Sequence, residues 1–420
     1  MPEPVIYHVD VNSAFLSWEA AHRLEEDPAA LDLRTIPSVI GGSEEQRHGI
    51  VLAKSTPAKA FHIHTGEPLV SARKKCPELY IAPPSYGLYV ACSRRLMELL
   101  REYAPVVEQY SIDEAFCDMT GTTRLYGSPV VFAEYLKDKI HSDLGFTVNI
   151  GVSCNRLLAK MASDFKKPNL VHTLFPKEIP DKMWPLPVED LFFVGGSTGK
   201  RLHELGIHTI GDIARCDVST LRYHFKKHGE TIWNYANGYD VELVTDHKAA
   251  NKSYGNSITT SCDVTDPETA KVFLLSLCET VGARIRADHA YISVVSISIL
   301  DYNFQHQSHQ TRLLTPTNVT EVIYETACRL FQQFWNREPI RQIGVSTAHV
   351  TSEECQQYNL FSSERNEKLS KLNSAIDSIR SRYGEDSILR ARFINTEQSH
   401  MSGGLSKEKR TGVLGELPPE

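Results

Sequence analysis

The sequence predicts an α+β protein built from several domains. Helical and strand-like hydrophobic patterns alternate over residues 5–165 and again over residues 257–350. A wholly helical pattern over residues 188–243 separates these two α+β stretches. The chain has 420 residues, well above the ~150 typical of one domain, so two to four domains are expected.

The first α+β stretch begins with VIYHVDV, an apolar run rich in β-branched residues that predicts a buried strand. The patterns after it predict helix 12–23, helix 86–103, hairpin 106–120, helix 129–142, strand 147–155 and helix 156–165. This β-α-β-β-α-β order is typical of a ferredoxin-like sheet. Residues 36–77 are irregular and rich in Gly and Pro, which indicates an insertion.

A second domain boundary is expected near the Pro-rich IPDKMWPLP, residues 179–187. The small helical stretch 188–243 follows, and the polar residues after it predict a tether over 244–252. The second α+β stretch then carries three strands, two long helices and a last strand that ends at residue 350. A charged helix is expected over 364–383, before a polar end.

Composition excludes several classes of protein. With 41% hydrophobic and 23% charged residues, the chain is neither mainly disordered nor collagen-like. No run approaches the ~18 apolar residues of a membrane span, and the start has no basic region before an apolar core. Nine scattered cysteines without a C-x-x-C pair predict reduced thiols and a cytoplasmic protein. The net charge of −7 excludes a uniformly basic coat for nucleic acid, but local basic patches remain possible.

One group of candidate residues is acidic. Asp10 ends the first apolar strand, and Asp113 with Glu114 stand together in YSIDEAF. Burying an unpaired carboxylate is costly, so acids in apolar strands call for a cation. Carboxylates are hard oxygen ligands that suit Mg²⁺. The alternative is that Asp10 caps the following helix and Asp113 forms a hairpin turn.

A second group is basic. KSTPAKAF places Lys54, Thr56 and Lys59 in the irregular insertion, and Lys160 lies on the helix after a strand. Lysines and a hydroxyl that converge would suit a triphosphate. The alternative is that these lysines are solvated surface residues.

Residues 191–214, LFFVGGSTGKRLHELGIHTIGDIA, have the pattern of a helix-hairpin-helix. Such a hairpin can hold a DNA phosphate with backbone N–H groups and a helix N-terminus, without reading sequence. Gly195 and Gly196 form the turn, and Lys200 and Arg201 add charge. A plain helical hairpin is the alternative.

Together these motifs resemble the Y-family translesion DNA polymerases, and the DinB branch is the most similar. The resemblance rests on HVDVNSAFLSWE (8–19), AKSTPAKAFHIHTGE (53–67), YSIDEAF (110–116), GVSCNRLLAKMASDFKKPN (151–169) and the helix-hairpin-helix. It covers residues 1 to about 361. The family fold is a right hand with a ferredoxin-like palm, small fingers, a helical thumb and an α+β little finger. The resemblance implies palm 1–37 and 78–172, fingers 38–77, thumb 173–243, linker 244–252 and little finger 253–350.

The resemblance also implies site residues. Asp10, Asp113 and Glu114, with the Val11 carbonyl, match the family's ligands for two Mg²⁺ ions. Phe15 matches the steric gate that excludes a ribose 2′-hydroxyl. The triphosphate contacts match Thr56, Lys59 and Lys160, and the implied partners are primer-template DNA and deoxyribonucleoside triphosphates.

This sequence departs from the family pattern at three of these positions. Asn12 stands where many relatives have a second Asp, but that side chain is not a main metal ligand. Thr56 replaces a common Tyr, and Lys59 replaces a common Arg. Because lysine lacks the fork of the guanidinium, it binds phosphate as a point charge, and Lys54 could share the task.

The family implies a polymerase without proofreading, whose small fingers leave a loose pocket that would copy damaged templates with low fidelity. An inactive DNA- and clamp-binding scaffold is the alternative, against which the intact carboxylates argue. A nucleotide cyclase with the same palm is disfavoured, because a cyclase needs no grip on a duplex.

Residues 351–420 follow the little finger and begin with a candidate docking peptide. QYNLF, residues 357–361, is similar to the clamp-binding motif of bacterial polymerases. Gln357, Leu360 and Phe361 match that motif, while Tyr358 replaces the usual Leu. An apolar cluster in a polar linker has no core to join, so a sliding clamp is the predicted partner. The alternative is that Leu360 and Phe361 pack against the second α+β stretch or the following helix. Nothing in the sequence requires more than a monomer.

Overall fold

The computed structural model of the chain describes residues 3–42, 49–247, 250–352, 363–394, 396 and 398–403. The described residues cluster into two units, one formed by 3–42 and 50–247 and the other mainly by the described residues from 250 onward. In the described residues, no helix is both long and apolar enough to cross a membrane.

The first unit contains eight of the described strands. These are β1 (Ile6–Val11), β2 (Ser38–Gly41), β3 (Val51–Lys54), β4 (Tyr80–Ala82), β5 (Val106–Gln109), β6 (Glu114–Asp118), β7 (Val148–Ser153) and β8 (Val171–Thr173). Its helices are α1 (Ala14–Glu26), α2 (Thr56–Lys59), α3 (Leu69–Lys75), α4 (Tyr86–Tyr103), α5 (Thr123–Tyr126), α6 (Pro129–Leu144), α7 (Arg156–Ser163), α8 (Gly196–Glu204), α9 (Ile210–Arg215), α10 (Val218–Phe225) and α11 (Lys227–Ala236).

A five-stranded sheet in the order β5-β6-β1-β7-β8 forms the centre of this unit. All its neighbouring strands are antiparallel except β7 and β8, which are parallel. Strand β8 was not predicted, because its three residues are only half-buried and the flanking KKPN and Pro176 indicate a loop. The predicted ferredoxin-like order is otherwise present.

Alternation along β1 decides which side chains reach which face of the sheet. Tyr7, Val9 and Val11 join the core formed with α4 and α6. Ile6 instead packs with Ala159 of α7, so His8 and Asp10 also belong to the α7 face. The acid at the end of β1 therefore lies on the side of the sheet that α7 covers.

Helix α7 packs unusually close to the sheet. A Cβ on Gly151 of β7 would lie 1.8 Å from the carbonyl oxygen of Ala159, so only glycine fits there. The side chain of Asn155 caps the helix by accepting a hydrogen bond from the Leu158 amide at 2.8 Å. This packing places Lys160 beside the ends of β1 and β6.

The predicted insertion is a small module with its own sheet, in the order β3-β2-β4. Its core contains Val39, Val51, Ala58, Ile63 and Leu69. The helical part of the unit begins with single turns at Pro176–Glu178, Ile179–Met183 and Val188–Asp190 and continues with α8 to α11. Its core includes Leu157 and Met161 of α7, so the helices are packed on the same unit.

The second unit contains β9 (Ser253–Val264), β10 (Ala290–Asp301), β11 (His306–Thr317) and β12 (Ile340–Ser352), with α12 (Pro267–Ala287), α13 (Thr320–Phe334) and α14 (Ser363–Tyr383). The antiparallel sheet has the order β11-β10-β12-β9, and α12 and α13 form a core with it. Single turns follow at Glu385–Ser387 and Ala391–Phe393.

The C-terminal segment packs on α12 and α13 through buried charge. Arg380 of α14 donates to Glu279 of α12 at 2.8 Å, and Arg390 donates to the same carboxylate at 2.5 Å. Arg390 also reaches Glu321 of α13 at 2.7 Å. Phe393 is buried as well. The segment is therefore an integral layer of the second unit, which the sequence pattern did not predict.

Candidate active site

The three predicted carboxylates lie at one end of two neighbouring strands. Asp10 of β1 stands directly opposite Glu114 of β6 in the sheet register. Asp113 precedes β6, and its carbonyl oxygen accepts a hydrogen bond from the Val11 amide at 3.1 Å. The side chain of Asp113 accepts a hydrogen bond from the Ser111 hydroxyl at 2.7 Å. The structure thus brings together all the predicted acidic residues and Val11.

Two lysines offset part of the charge of these acids. Lys160 of α7 lies 2.7 Å from an oxygen of Glu114, and both side chains are largely buried. Lys167, in the loop after α7, lies 3.0 Å from Asp10 and 2.9 Å from Asp164. The carboxylates therefore occupy a site that attracts cations on two sides.

Burial controls the ionisation of Asp10. Its side chain is 11% exposed, and desolvation raises the pKa of Asp10 to about 7, while the Lys167 ammonium acts in the opposite direction. A cation near this carboxylate stabilises its charged form. Hard oxygen donors in a buried acidic site fit a divalent ion such as Mg²⁺.

A different cluster has the tighter geometry. Ligand atoms of Glu385, Asp386 and His400 all lie within 4.8 Å of one another. The ligand atoms of Asp10, Asp113 and Glu114 are not all this close together. His400 contacts Asp386 at 3.1 Å through Nε2 and Arg380 at 3.4 Å through Nδ1. Because a guanidinium lies against the ring, we interpret this cluster as a polar contact of the C-terminal segment.

His8 is connected to the backbone of Lys160 through Ser163, a contact that the sequence does not predict. The Ser163 hydroxyl donates to the Lys160 carbonyl at 2.8 Å, so it accepts from Nδ1 of His8 at 2.7 Å. Burial, together with the charges of Lys160, Lys167 and Arg156, holds the pKa of His8 well below its usual range. The ring is therefore neutral and carries its proton on Nδ1.

Asn12 holds the loop that carries Lys167. Its side-chain oxygen accepts a hydrogen bond from the Asn169 amide at 2.9 Å, and its NH₂ donates to Asn149 at 3.2 Å. Asn149 in turn donates to the carbonyl of Lys166 at 2.9 Å. An Asp at position 12 could accept the first bond but could not donate the second.

Phe15 lies in the second position of α1, just after Asp10. Its ring stacks on Tyr89 at 4.5 Å between centroids and meets Tyr86 edge-on at 6.3 Å. It is half-buried, so part of the ring stays accessible. Two neighbouring rings therefore fix the position of Phe15.

The other basic candidates lie in the inserted module. Thr56 and Lys59 are exposed on α2. Lys54 points elsewhere, because its ammonium donates to the carbonyl of Ile63 at 2.6 Å. Burial lowers the pKa of Lys54. Thr56 and Lys59 are thus accessible to a ligand, whereas Lys54 has a structural partner.

Residues 191–214, the predicted helix-hairpin-helix, form a turn closed by the Val194 amide and the Leu191 carbonyl, then α8, a turn at Gly206 and α9. Gly195 caps α8 and Gly196 begins it; both are exposed, with open space where a Cβ would stand. Lys200 and Arg201 are exposed on α8, and Arg201 pairs with Glu204 at 2.7 Å. The predicted phosphate-binding turn at Gly195 and Gly196 is therefore accessible to a DNA backbone.

The clamp-binding residues Gln357, Leu360 and Phe361 lie outside the described residues. Among the described residues near the carboxylates, the sequence analysis missed Lys167 and His8. Lys167 belongs to KKPN, which carries the family resemblance, and it stands three residues after Asp164. That position close to an acid could have marked Lys167 as a candidate. His8 could have been noticed as a polar residue inside an apolar strand.

Comparisons with known proteins identify the class. The impB/mucB/samB family matches residues 9–164, its C-terminal domain matches 251–360, and its helix-hairpin-helix motif matches 176–207. The fold is similar to that of a Y-family DNA polymerase chimera of Dbh and Dpo4, with a TM-score of 0.69 and 22% identity over 83% of this chain and 100% of that one.

Two curated relatives extend over almost the whole chain. DNA polymerase IV of Clostridium acetobutylicum is 45% identical, covering 94% of this chain and 99% of that protein. DNA polymerase IV 2 of Bacillus subtilis is 34% identical, covering 93% and 95%. The protein is therefore a DNA-directed DNA polymerase of the Y-family. Within that class the chain belongs to the impB/mucB/samB family, in its DinB branch.

The fold of this family is a right hand with four parts. It consists of a ferredoxin-like palm, small fingers, a helical thumb and an α+β little finger, and the helix-hairpin-helix match includes α8. The family's C-terminal domain matches a part of the sequence that belongs to the second unit.

Proposed function

We propose that this polymerase extends a primer at Asp10, Asp113 and Glu114, on primer-template DNA and with deoxyribonucleoside triphosphates. The observation that supports the assignment best is the pairing of Asp10 with Glu114 across β1 and β6, beside Asp113. The proposed domains are palm 1–37 and 78–172, fingers 38–77, thumb 173–243, linker 244–252, little finger 253–350 and the terminal segment 351–420.

Two Mg²⁺ ions are the proposed cofactor, with Asp10, Asp113, Glu114 and the Val11 carbonyl as ligands. When bound, the ions would activate the primer hydroxyl and offset the charge that develops during phosphoryl transfer. The residues fit them because a buried acid already attracts Lys167 and a second one attracts Lys160. Lys167 opposes the rise in the pKa of Asp10 that burial causes.

Lys160 is suited to the triphosphate as well as to Glu114. Its ammonium lies 2.7 Å from Glu114, so it can reach phosphate oxygens placed at the carboxylates. Thr56 and Lys59 are proposed to hold the same triphosphate from the fingers. Phe15 is proposed to exclude ribonucleotides, because its ring is fixed by Tyr86 and Tyr89.

Low fidelity, lesion bypass and the lack of proofreading follow from the same proposal. The fingers contain one small sheet and two short helices, which leaves little protein to close over a nascent base pair. Selection by shape is then weak, and a damaged template base can be accommodated.

Gly195, Gly196, Lys200 and Arg201 are proposed to grip the DNA backbone. Gln357, Leu360 and Phe361 are proposed to dock on a sliding clamp. We also propose that the protein acts as a monomer in the cytoplasm, without a membrane partner.

Primer extension tests the proposal. The wild type should extend a primer on an undamaged template and past one damaged base when Mg²⁺ is present, and a chelator should stop both reactions. The inactive scaffold predicts binding of the same DNA without extension at any Mg²⁺ concentration. If the enzyme extends primers on the undamaged template but stops at every damaged base, the proposal of lesion bypass is refuted and the polymerase activity stands.

A further inference from the structure

The first turn of the helix-hairpin-helix contains a residue that does not suit its backbone. The Val194 amide donates to the Leu191 carbonyl at 2.9 Å, which closes a four-residue turn. Phe193, the third residue of that turn, has φ 73°. Glycine is favoured at this position because a side chain is strained at positive φ, and a bulky residue there is an outlier.

Burial does not compensate for this strain. The side chain of Phe193 is 56% exposed. It contacts Phe192 at 4.6 Å and Tyr235 at 5.8 Å between ring centroids, but most of its surface faces solvent. A strained and exposed aromatic residue suggests a role in binding more than one in packing.

Three rings connect this turn with the carboxylates, and we call Phe193, Phe192 and Tyr110 the aromatic row. Phe192 lies 6.3 Å from Tyr110 between centroids. The ammonium of Lys160, which pairs with Glu114, lies 5.4 Å from each of these two rings. The row therefore runs from the exposed turn to the residues proposed to act on the primer end.

We propose that Phe193 is a DNA-contacting residue whose ring packs on the sugar and base edges of the primer strand. The inference rests on the proposed function, which places the primer end at Glu114. Two residues span at most about 7 Å, so the ring can reach a nucleotide next to a phosphate held at Gly195 and Gly196.

The surroundings favour a nucleic acid over an apolar partner. Gly195 and Gly196 expose the start of α8, whose amide groups suit an anion. Lys200 is exposed, and no carboxylate among the described residues pairs with it. An aromatic ring beside free positive charge is the combination that binds sugar and base on one side and phosphate on the other.

The test replaces Phe193 by glycine and by tyrosine. Phe193→Gly should melt at the wild-type temperature or above, because glycine relieves the positive φ. It should bind primer-template DNA about tenfold more weakly, the loss expected when the apolar contact of one partly buried Phe is removed. Phe193→Tyr keeps the ring and should bind like the wild type. Melting without DNA and fluorescence anisotropy with labelled DNA measure the two quantities.

Salt dependence separates the ring from the charges. The slope of log Kd against log salt should be unchanged in Phe193→Gly, because no phosphate contact is lost. In Lys200→Ala the slope should fall by about 0.9, as expected for one lost phosphate contact.

Wild-type affinity in Phe193→Gly would overturn the inference. So would a weaker Phe193→Gly that also melts lower than the wild type, because the ring would then be a packing residue. In either case the wild type would still bind and extend primers, so the proposed function would stand. A wild type that neither binds nor extends DNA would refute both.

Discussion

At the scale of single residues, the fixed ring of Phe15 leads to a prediction about sugar choice. Because Tyr89 and Tyr86 hold it on two sides, the ring cannot swing away from a 2′-hydroxyl. Phe15→Ala should therefore raise ribonucleotide incorporation relative to deoxyribonucleotide incorporation by roughly tenfold or more, since each ~1.4 kcal/mol of lost barrier is tenfold in rate. Single-nucleotide incorporation with both sugars measures the ratio.

Tyr86→Ala is the matched control, because it removes another ring of the same cluster. It should raise ribonucleotide incorporation less than Phe15→Ala does, because the Phe15 ring is still present and still stacks on Tyr89. If Phe15→Ala lowers the melting temperature and keeps the wild-type ratio of sugars, Phe15 is a core residue and the gate assignment is wrong.

The acids could be predicted from sequence, whereas their partners could not. Asp10 stands out because an apolar strand has no packing use for a carboxylate. Its contact with Lys167 joins residues 157 positions apart and depends on how the loop after α7 returns to β1. Hydrophobic periodicity does not predict the path of this loop. It does not predict the contact between His8 and Ser163 either.

At the scale of secondary-structure elements, the close approach of α7 to β7 is the feature most sensitive to mutation. In Gly151→Ala the new Cβ would meet backbone atoms of Ala159, which cannot move without shifting α7. We expect a loss of stability of about 1–3 kcal/mol or more, as for overpacked cores. Because Lys160 moves with the helix, primer extension should also fall.

Gly87→Ala is the control for that change. Gly87 lies in α4 with open space around it, so alanine should stabilise the protein slightly by its helix propensity. Urea unfolding of the two variants gives the comparison. Equal stability of Gly151→Ala and the wild type would show that α7 is not held as closely as described.

The buried charge on Glu279 predicts that the C-terminal segment contributes strongly to stability. Arg380 and Glu279 are 6% and 4% exposed, so Arg380→Leu leaves a buried carboxylate with one partner fewer. The expected cost is about 3–5 kcal/mol, as for other broken buried pairs. Thermal unfolding of the full chain measures it.

Arg365→Leu provides the comparison at the surface. Its pair with Glu325 is 68% and 55% exposed, so the loss should stay below about 1 kcal/mol. Similar small losses in both variants would mean that the segment contributes little to the stability of the little finger.

Regular helices were predicted well because their apolar spacing is long enough to be distinctive. The predicted helix 86–103 coincides with α4, and the predicted 129–142 differs from α6 by two residues. Strand β8 has only three residues, too few for a pattern. The docking of α14 was not predicted, because its charged surface resembles that of a solvated helix until Glu279 is seen beneath it.

At the scale of the whole molecule, the sequence predicts that a peptide of the terminal segment connects the enzyme to its clamp. Leu360 and Phe361 should fill an apolar pocket on the clamp as anchors. Leu360→Ala with Phe361→Ala should therefore abolish the stimulation of synthesis by a clamp and leave clamp-free synthesis intact. Extension with and without a loaded clamp measures this, and an equal loss in both would show a structural role.

The sequence predicts an order of domains because each has its own hydrophobic pattern and the boundaries are rich in Pro or polar residues. The tether was less distinct. Thr245 lies on the palm, where its amide donates to Glu108 at 3.1 Å, and Arg156 pairs with both Glu108 and Glu242. A run of polar residues indicates a linker, but it does not predict which residues of the folded protein form hydrogen bonds or ion pairs with that linker.

The most direct test of the account is single-nucleotide incorporation by Asp113→Ala, measured beside its affinity for primer-template DNA. Asp164→Ala is the matched control, since Asp164 also belongs to this region but is not a proposed ligand. Asp113→Ala should lose roughly a thousandfold or more in rate, because several kcal/mol of charge stabilisation are removed. It should bind DNA like the wild type, and Asp164→Ala should keep most of its rate. Incorporation at the wild-type rate by Asp113→Ala would contradict the assignment of these carboxylates as the catalytic centre.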